Sequence, residues 1–447
     1  MGGRRDFIKK TTAAAIGLGL PSTTINAMTA KSYNNIIGAN DRIHVAIQGL
    51  GRRYGAYIPS IADKQNNISL DYLCDVRDSQ LEKAVKRVSK SLTYNPKQEK
   101  DIRKILEDKN IDAVFMATPD HWHTPGACMA MEAGKHVYLE KPCSHNPYEN
   151  EIVVAFQKKY NKVVQMGNQQ RSSNQSIDII NKIHNGIIGD VYKAIAFYAN
   201  GRGEVPHPVK ALVPEGLDWE LFQGPAPRKD YVHDLWDYNW HWYGWDYGTA
   251  EMGNNATHEL DIARWALDVN YPEYVDVIAN KNHFVNDGWE MYDTMEATYR
   301  FPDNKIIQWD GCSRNRFSKY FGRGRGTIIY GSNGSVFIDR GGYEVYNLKG
   351  ELIKESKGGN EEGLALGGGG DMSTNHAVNF FNAIRINETL KSPIEDGAIS
   401  QMMTHYANIS YRIDKGFNVD VNTGRIFDRE AMGLWKRTYE PGWEPIL

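Results

Sequence analysis

Lys141 stands in Glu140-Lys141-Pro142, directly after the apolar run His136-Val137-Tyr138-Leu139. A residue before proline is held extended, so the ammonium group is aimed in a fixed direction. Far along the chain, Gly253-Asn254-Asn255-Ala256-Thr257-His258 sets Asn254 and His258 four residues apart. On a helix they share a face. Asp261, three beyond His258, is placed to orient its imidazole. A lysine and a histidine meeting at one point can draw a proton from a hydroxyl and relay it. The alternatives are a surface lysine and a histidine that caps a helix.

A second group points to what would lie beside them. The β-rich run Ile43 to Gln48 leads at once into Gly49-Leu50-Gly51-Arg52-Arg53-Tyr54-Gly55, and Ala56 to Ala62 can be helical. Strand, glycine turn and helix is the setting in which backbone N–H groups meet a pyrophosphate. The first glycine makes the tight turn and the second lets the backbone come close. Tyr54 stands where a third glycine usually does, with Gly55 one place late, which predicts a slightly wider loop. The next strand, Ser69 to Cys74, ends at Asp75. An acid there accepts hydrogen bonds from both ribose hydroxyls of NAD and repels the extra phosphate of NADP. Arg77 offsets part of that repulsion, so NADP stays open beside NAD.

The elements that must position these residues follow a βα rhythm. Ser79 to Ser89 and Glu99 to Asp108 read as helices, Ile111 to Ala117 as a buried strand, Gly126 to Ala133 as a helix and His136 to Leu139 as a strand. Glu151 to Tyr160 and Lys162 to Met166 add a helix and a closing strand. Such alternation predicts a parallel sheet with helices on both faces, and ligands at the carboxyl ends of its strands. Thr118-Pro119-Asp120-His121-Trp122-His123 sits at one such end and Glu140-Lys141-Pro142 at another. Two histidines at i and i+2, with no third ligand in view, do not make a metal site.

With the glycine turn, Thr118 to His123 and Ala133-Gly134-Lys135-His136-Val137-Tyr138-Leu139-Glu140-Lys141-Pro142 resemble the Gfo/Idh/MocA oxidoreductase family. The resemblance implies an α/β chain: an N-terminal Rossmann domain, then a C-terminal α/β domain on a large, mostly antiparallel open sheet. It places the first domain at residues 40–167 and the second at 168–440. It implies Lys141, His258 and Asn254 as the catalytic set. Asn254 stands where many relatives carry Asp, which shifts weight onto His258 and Lys141. It implies cofactor contacts from Gly49, Leu50, Gly51, Arg52, Arg53, Asp75, Thr118, Pro119, His121, His123, Glu140 and Lys141. It also implies a homo-oligomer joined through the open sheet.

The remaining signals concern a substrate. Gly167-Asn168-Gln169-Gln170-Arg171 is polar and follows a strand, so Gln169 and Arg171 either meet sugar hydroxyls or cap the helix Asn174 to Asn185. Trp236, Trp240, Trp242 and Trp245 crowd the stretch Leu235 to Gly248. Tryptophan faces stack on pyranose C–H faces, so Trp240, Trp242 and Trp245 either line a sugar site or pack a hinge. Asp261 joins this substrate set. Val275 to Ile278, Met295 to Phe301, Lys305 to Trp309, Thr327 to Tyr330, Ser335 to Ile338 and Tyr343 to Tyr346 read as strands with hairpin signals at Pro302-Asp303-Asn304 and Ser332-Asn333-Gly334. Gly367 to Gly370 reads as a loop, and Asn375 to Ile386 and Gly397 to Asp414 as helices.

Composition narrows the classes. At 447 residues the chain has room for two domains. A net charge of −3 gives no footprint for nucleic acid or an anionic membrane, and no apolar run reaches the roughly 20 residues of a membrane span. The 11 Trp and 25 Tyr suit a carbohydrate ligand. Gly3-Arg4-Arg5-Asp6-Phe7-Ile8-Lys9-Lys10, with the mild apolar stretch to Leu20, resembles a twin-arginine export signal over residues 1–30. That predicts a periplasmic or otherwise exported protein that folds before crossing, cofactor inside. The four cysteines, Cys74, Cys128, Cys143 and Cys312, have no paired spacing and read as free buried thiols. Three functions remain. One is a sugar dehydrogenase with tightly held NAD, like glucose–fructose oxidoreductase. One is a glycosidase with resident NAD and no net redox, resembling glycoside hydrolase family 109. The last is a sugar-binding protein without catalysis.

Overall fold

A computed structural model describes residues 41–233, 238–317, 320–357 and 371–447. The export segment 1–30, residues Leu235 to Asp237 of the aromatic stretch, and Gly367 to Gly370 lie outside the described residues.

The first sheet has six strands: β1 (Ile43–Gln48), β2 (Ile68–Cys74), β3 (Lys97–Glu99), β4 (Ala113–Met116), β5 (His136–Leu139) and β6 (Val164–Met166). Their order is β3-β2-β1-β4-β5-β6, and every pairing is parallel. β4 is buried along its whole length, as a parallel strand covered on both faces requires. The sequence reverses direction of build between β2 and β4 on either side of β1, so the carboxyl ends of β1 and β4 form the crevice in which such folds hold ligands.

The second sheet has nine strands: β7 (Val191–Ala199), β8 (Tyr274–Asn280), β9 (Thr294–Arg300), β10 (Ile306–Cys312), β11 (Arg325–Gly331), β12 (Gly334–Asp339), β13 (Gly342–Asn347), β14 (Leu352–Lys357) and β15 (Phe417–Asn418). The order is β14-β13-β12-β11-β7-β10-β9-β8-β15, antiparallel except for β7 with β10. In β9 and β10 every second residue is buried, so one face packs on helices and the other is open. Helix Thr257–Leu267 lies on the covered face, where Leu260, Ile262, Ala263 and Leu267 join Tyr299, Ile307 and Trp309 in one core.

Three differences from the sequence pattern matter. β7, the strand that links both halves of the large sheet, carries no clear alternation that would announce it in the sequence. The segment 99–108 is not one helix. Asp101 accepts from Arg103 N–H at 3.0 Å and caps a short helix, Ile102–Leu106, while Lys97–Glu99 pairs with β2. Short acidic side chains favour that capping role over a helix interior. The chain also crosses back: Phe380 and Phe381 of helix Asp371–Ile386 pack on Phe115 of β4 at ring distances of 5.6 and 5.8 Å. Residues beyond 370 thus serve the first sheet's core as well, and 43–447 packs as one unit.

Candidate active site

At the end of β1 the chain turns at Gly49, whose φ of +88° disfavours any side chain. A Cβ there would lie 2.5 Å from the Ala117 backbone after β4. Gly51 faces open space, with nothing within 4 Å of an added Cβ. Asp75, buried at the end of β2, accepts Leu50 N–H at 2.8 Å on one oxygen and Arg77 N–H at 3.0 Å on the other. Burial pushes its carboxyl up to about 6. Leu50 therefore contributes an N–H already held by Asp75, while its side chain sits in the core.

Glu140, after β5, is a buried hub. Its Oε1 accepts from Arg53 Nε at 2.8 Å, Tyr57 Oη at 2.9 Å and Gln169 Nε2 at 2.9 Å. Burial raises the carboxyl, but Arg53 and the other donors outweigh it and hold Glu140 below the usual range. Arg53 and Gln169 line the cleft, yet both are committed to this carboxylate. Gln169 lines the cleft, and its amide nitrogen braces Glu140 and Tyr138.

His123 Nδ1 lies 2.6 Å from the Pro142 carbonyl. A carbonyl only accepts, so Nδ1 carries the proton and Nε2 keeps its lone pair. Burial draws His123 down to about 4, so the ring is neutral. Among the described residues, Nε2 and the nearby Thr118 hydroxyl are buried with no hydrogen-bond partner. His121 is different. Its Nε2 donates to Phe222 O at 2.8 Å and its ring meets Tyr247 edge-on, so it packs behind the cleft wall and does not reach the cofactor side.

Lys141 Nζ donates to the Asn254 carbonyl at 2.6 Å. Desolvation by burial lowers its amine to about 8, against the pull of the Asp120 and Glu140 carboxylates. Asp120 accepts from Thr249 N–H at 3.1 Å and its hydroxyl at 2.6 Å, and burial raises it to about 6. Asn254 lies in a π turn, Met252–Ala256, that interrupts the helix before Thr257, a distortion common at functional sites. Its side chain meets the Tyr238 hydroxyl at 2.9 Å and the Glu251 carboxylate at 3.3 Å. An aspartate in this place would face that buried carboxylate, which gives the asparagine a physical reason. His258 opens on the same cleft. Among the described residues its ring has no hydrogen-bond partner, and burial with nearby Arg340 and Lys141 keeps it neutral, well below the usual range.

The cleft has a volume of about 610 Å³. It brings together Gly49, Gly51, Arg52, Arg53, Asp75, Thr118, Pro119, His123, Glu140, Lys141, Gln169, Trp240, Asn254 and His258. Six expected residues stand apart: Leu50 and His121, described above, and four more. Arg171 and Asp261 form a bidentate pair at 2.8 Å, joined by Asp396 and Ser400, so Asp261 is turned to the arginine and neither lines the cleft. Trp242 is buried against Trp289, ring centroids 4.0 Å apart and nearly parallel. Trp245 faces other cavities, beside Tyr411 and Arg412. Among these, the packing reading of the tryptophans holds for 242 and 245, and only Trp240 lines the cleft. Sequence reasoning missed Tyr198 and Arg202 around the end of β7, Asn255, and Arg325 and Arg340 on the large sheet. The missed strand hid the first two. Arg340 sits in a two-residue hairpin turn, where spacing carries no signal. No cluster of three metal-binding side chains occurs among the described residues.

A glycine turn, an acid at the end of the second strand and a buried lysine at the end of the fifth define a dinucleotide-binding oxidoreductase architecture. The family models agree. Residues 43–168 match the oxidoreductase family's NAD-binding Rossmann fold and residues 190–338 its C-terminal alpha/beta domain. The chain belongs to the Gfo/Idh/MocA oxidoreductase family. A glycosyl hydrolase family 109 protein from Shewanella baltica is 26% identical over 292 residues, covering 62% of this chain and 58% of that protein. An alpha-N-acetylgalactosaminidase from Shewanella oneidensis is 23% identical over the same shares. The chain thus spans just over half the length of these curated relatives. Levoglucosan dehydrogenase in complex with NADH and levoglucosan superposes with a TM-score of 0.64 at 20% identity, covering 84% of this chain and 99% of that one. That likeness shows the fold. The site fits NAD on its own terms: the open backbone at Gly51, the buried acid and the orphaned Thr118 and His123 acceptors await a polar ligand.

Proposed function

We propose that this protein is an NAD-dependent enzyme that oxidises a ring hydroxyl of a sugar or glycoside. The observation that carries this is Lys141. Its amine, held near 8, enters the cleft that also opens onto the glycine turn, Asp75 and His258. The Gly49 to Gly51 turn and Asp75 would hold NAD, which would supply the hydride acceptor.

This chain's own residues do the rest. The Asn254 carbonyl fixes the direction of Lys141 Nζ. The neutral amine takes the proton of the reacting hydroxyl, and its value suits an exchange near neutral pH. Asp120, facing Lys141, steadies the ammonium that forms. His258, neutral and untied, hydrogen-bonds a second hydroxyl. Trp240 offers an aromatic face for the ring's C–H bonds. A carbohydrate is supported by the sugar relatives named above and by a cleft of about 610 Å³ lined by hydrogen-bonding side chains and Trp240.

A second reading is favoured by the curated relatives that are glycosidases. Oxidation at C3 acidifies the C2 proton. Its loss expels the aglycone from C1, water adds to the resulting double bond, and the ketone is reduced back. No net redox results, and His258 is free to take the second proton. Purified protein with aryl glycosides and no added cofactor separates the readings. Phenol release without accumulated NADH supports the glycosidase, and a carbonyl product supports the dehydrogenase. If neither appears with any sugar or glycoside, the catalytic reading falls.

Export and self-association belong to the same proposal. Arg4-Arg5 with the following mild apolar stretch supports twin-arginine export, tested by cell fractionation of wild type against an Arg4→Lys, Arg5→Lys double variant. The open face of the large sheet, where Tyr192 and Ile278 are exposed, supports a dimer through that sheet. Light scattering of the purified protein tests it, and a monomer at micromolar concentration overturns it.

A further inference from the structure

The cleft's cations are almost all matched. Arg53 holds Glu140 at 2.8 Å, Arg202 holds Glu251 at 3.1 Å, and Arg325 holds Glu259 at 2.6 Å. Lys141 faces Asp120 and Glu140, and Arg52 lies over the Tyr238 ring at 4.6 Å. Arg340 is the exception. It lines the cleft from the turn between β12 and β13, half-buried, and among the described residues it makes no hydrogen bond and no ion pair. Its own neighbour cannot help: the Asp339 carboxylate takes Gly341 N–H at 2.7 Å and faces Arg323 at 3.6 Å. Glu259 favours the Arg340 charge but is already paired with Arg325, so one carboxylate serves two guanidiniums.

This arrangement is costly without a ligand. A guanidinium in a confined site beside a second guanidinium is repelled, and burial with Arg325 draws Arg340 down to about 9. The turn is nonetheless fixed in place. The Asp339 carbonyl accepts Gln170 Nε2 at 3.2 Å, which ties the hairpin to the loop after β6. Five N–H donors on a planar fork are therefore held in the cleft that His258 and Arg325 also line. A carboxylate meets that fork with two parallel hydrogen bonds and neutralises the charge.

We propose that the substrate is an acidic carbohydrate, a uronate or uronate-bearing glycoside whose carboxylate is bound by Arg340. The inference rests on the carbohydrate reading above and narrows it. A neutral sugar would bring Arg340 no counter-charge, whereas a ring carboxylate would.

The test uses the full chain loaded with NAD and follows tryptophan fluorescence, since Trp240 lines the cleft. Methyl glycosides of glucuronate and galacturonate are titrated in parallel with those of glucose and galactose. At least one uronide is expected to bind ten-fold or more tightly than its neutral counterpart. Arg340→Gln should abolish that preference and leave the bound NAD content unchanged, and Arg340→Lys should restore part of it. Equal or tighter binding of the neutral sugars overturns the inference while leaving the carbohydrate reading intact. Binding of none of the four overturns both. Loss of NAD from Arg340→Gln, measured by mass spectrometry of the released nucleotide, assigns Arg340 to the cofactor and overturns the inference.

Discussion

Replacing Lys141 by arginine keeps a positive charge and removes the base. Desolvation brings the lysine from its ordinary value of 10.5 to about 8, a shift worth roughly 3 kcal/mol. At pH 7 roughly one molecule in ten then carries the neutral amine, against roughly one in 3,000 for an unshifted lysine. If the neutral amine takes the substrate's proton, kcat/KM should climb about ten-fold per pH unit below 8 and level off above it. An arginine stays protonated throughout. Lys141→Arg should therefore lose about 10²- to 10⁴-fold in kcat/KM and show no inflection near 8. The assay is initial rate against pH at constant ionic strength, with circular dichroism confirming that the variant is folded. An arginine variant within ten-fold of wild type, or a wild-type profile flat from about pH 6 to 9, refutes the reasoning.

Asp75→Ala should weaken NAD about 10- to 100-fold, the scale of losing hydrogen bonds to a charged acceptor, and narrow its lead over NADP; titration with both nucleotides checks this. Arg171→Ala leaves the Asp261 carboxylate buried beside Ser400 and should cost about 3–5 kcal/mol of stability, read as a lower Tm, with NAD affinity of the folded protein unchanged. Trp242→Ala removes the ring stacked on Trp289 and should cost about 3–5 kcal/mol, also read from melting. Asn254→Asp sets a carboxylate against Glu251 at the 3.3 Å contact; like charges disfavour ionisation, so its stability should fall as pH rises through the range where the new acid ionises, seen as a Tm that drops relative to wild type.

The first sheet was legible because each of its signals is local. Gly49 must adopt positive φ, Asp75 must follow a strand, and Lys141 must follow another, and all three fall where short runs of apolar residues end. The cofactor side of the cleft could be read for the same reason. The substrate side depends on long-range pairing. Arg202 follows β7, whose place in the centre of the large sheet no local alternation announces. Arg171 and Asp261 look like ligands in a linear reading because both are polar and near motif residues, yet 90 positions apart they satisfy each other. The same holds for the tryptophans: residue type cannot tell the ring stacked on Trp289 from the ring that opens on the cleft. Glu251 explains Asn254 only once the π turn has brought their side chains together.

The central claim is that one lysine handles a sugar hydroxyl beside a resident nicotinamide. The most direct measurement is a single turnover: protein stoichiometrically loaded with NAD, mixed with a panel of neutral and acidic sugars and glycosides, followed by absorbance of the reduced nicotinamide. Both catalytic readings predict a rise with at least one compound, transient for a glycosidase and lasting for a dehydrogenase, and no rise in folded Lys141→Met that still holds NAD. Reduction that proceeds equally well in Lys141→Met, or a wild type that never reduces its NAD with any compound, would contradict the account.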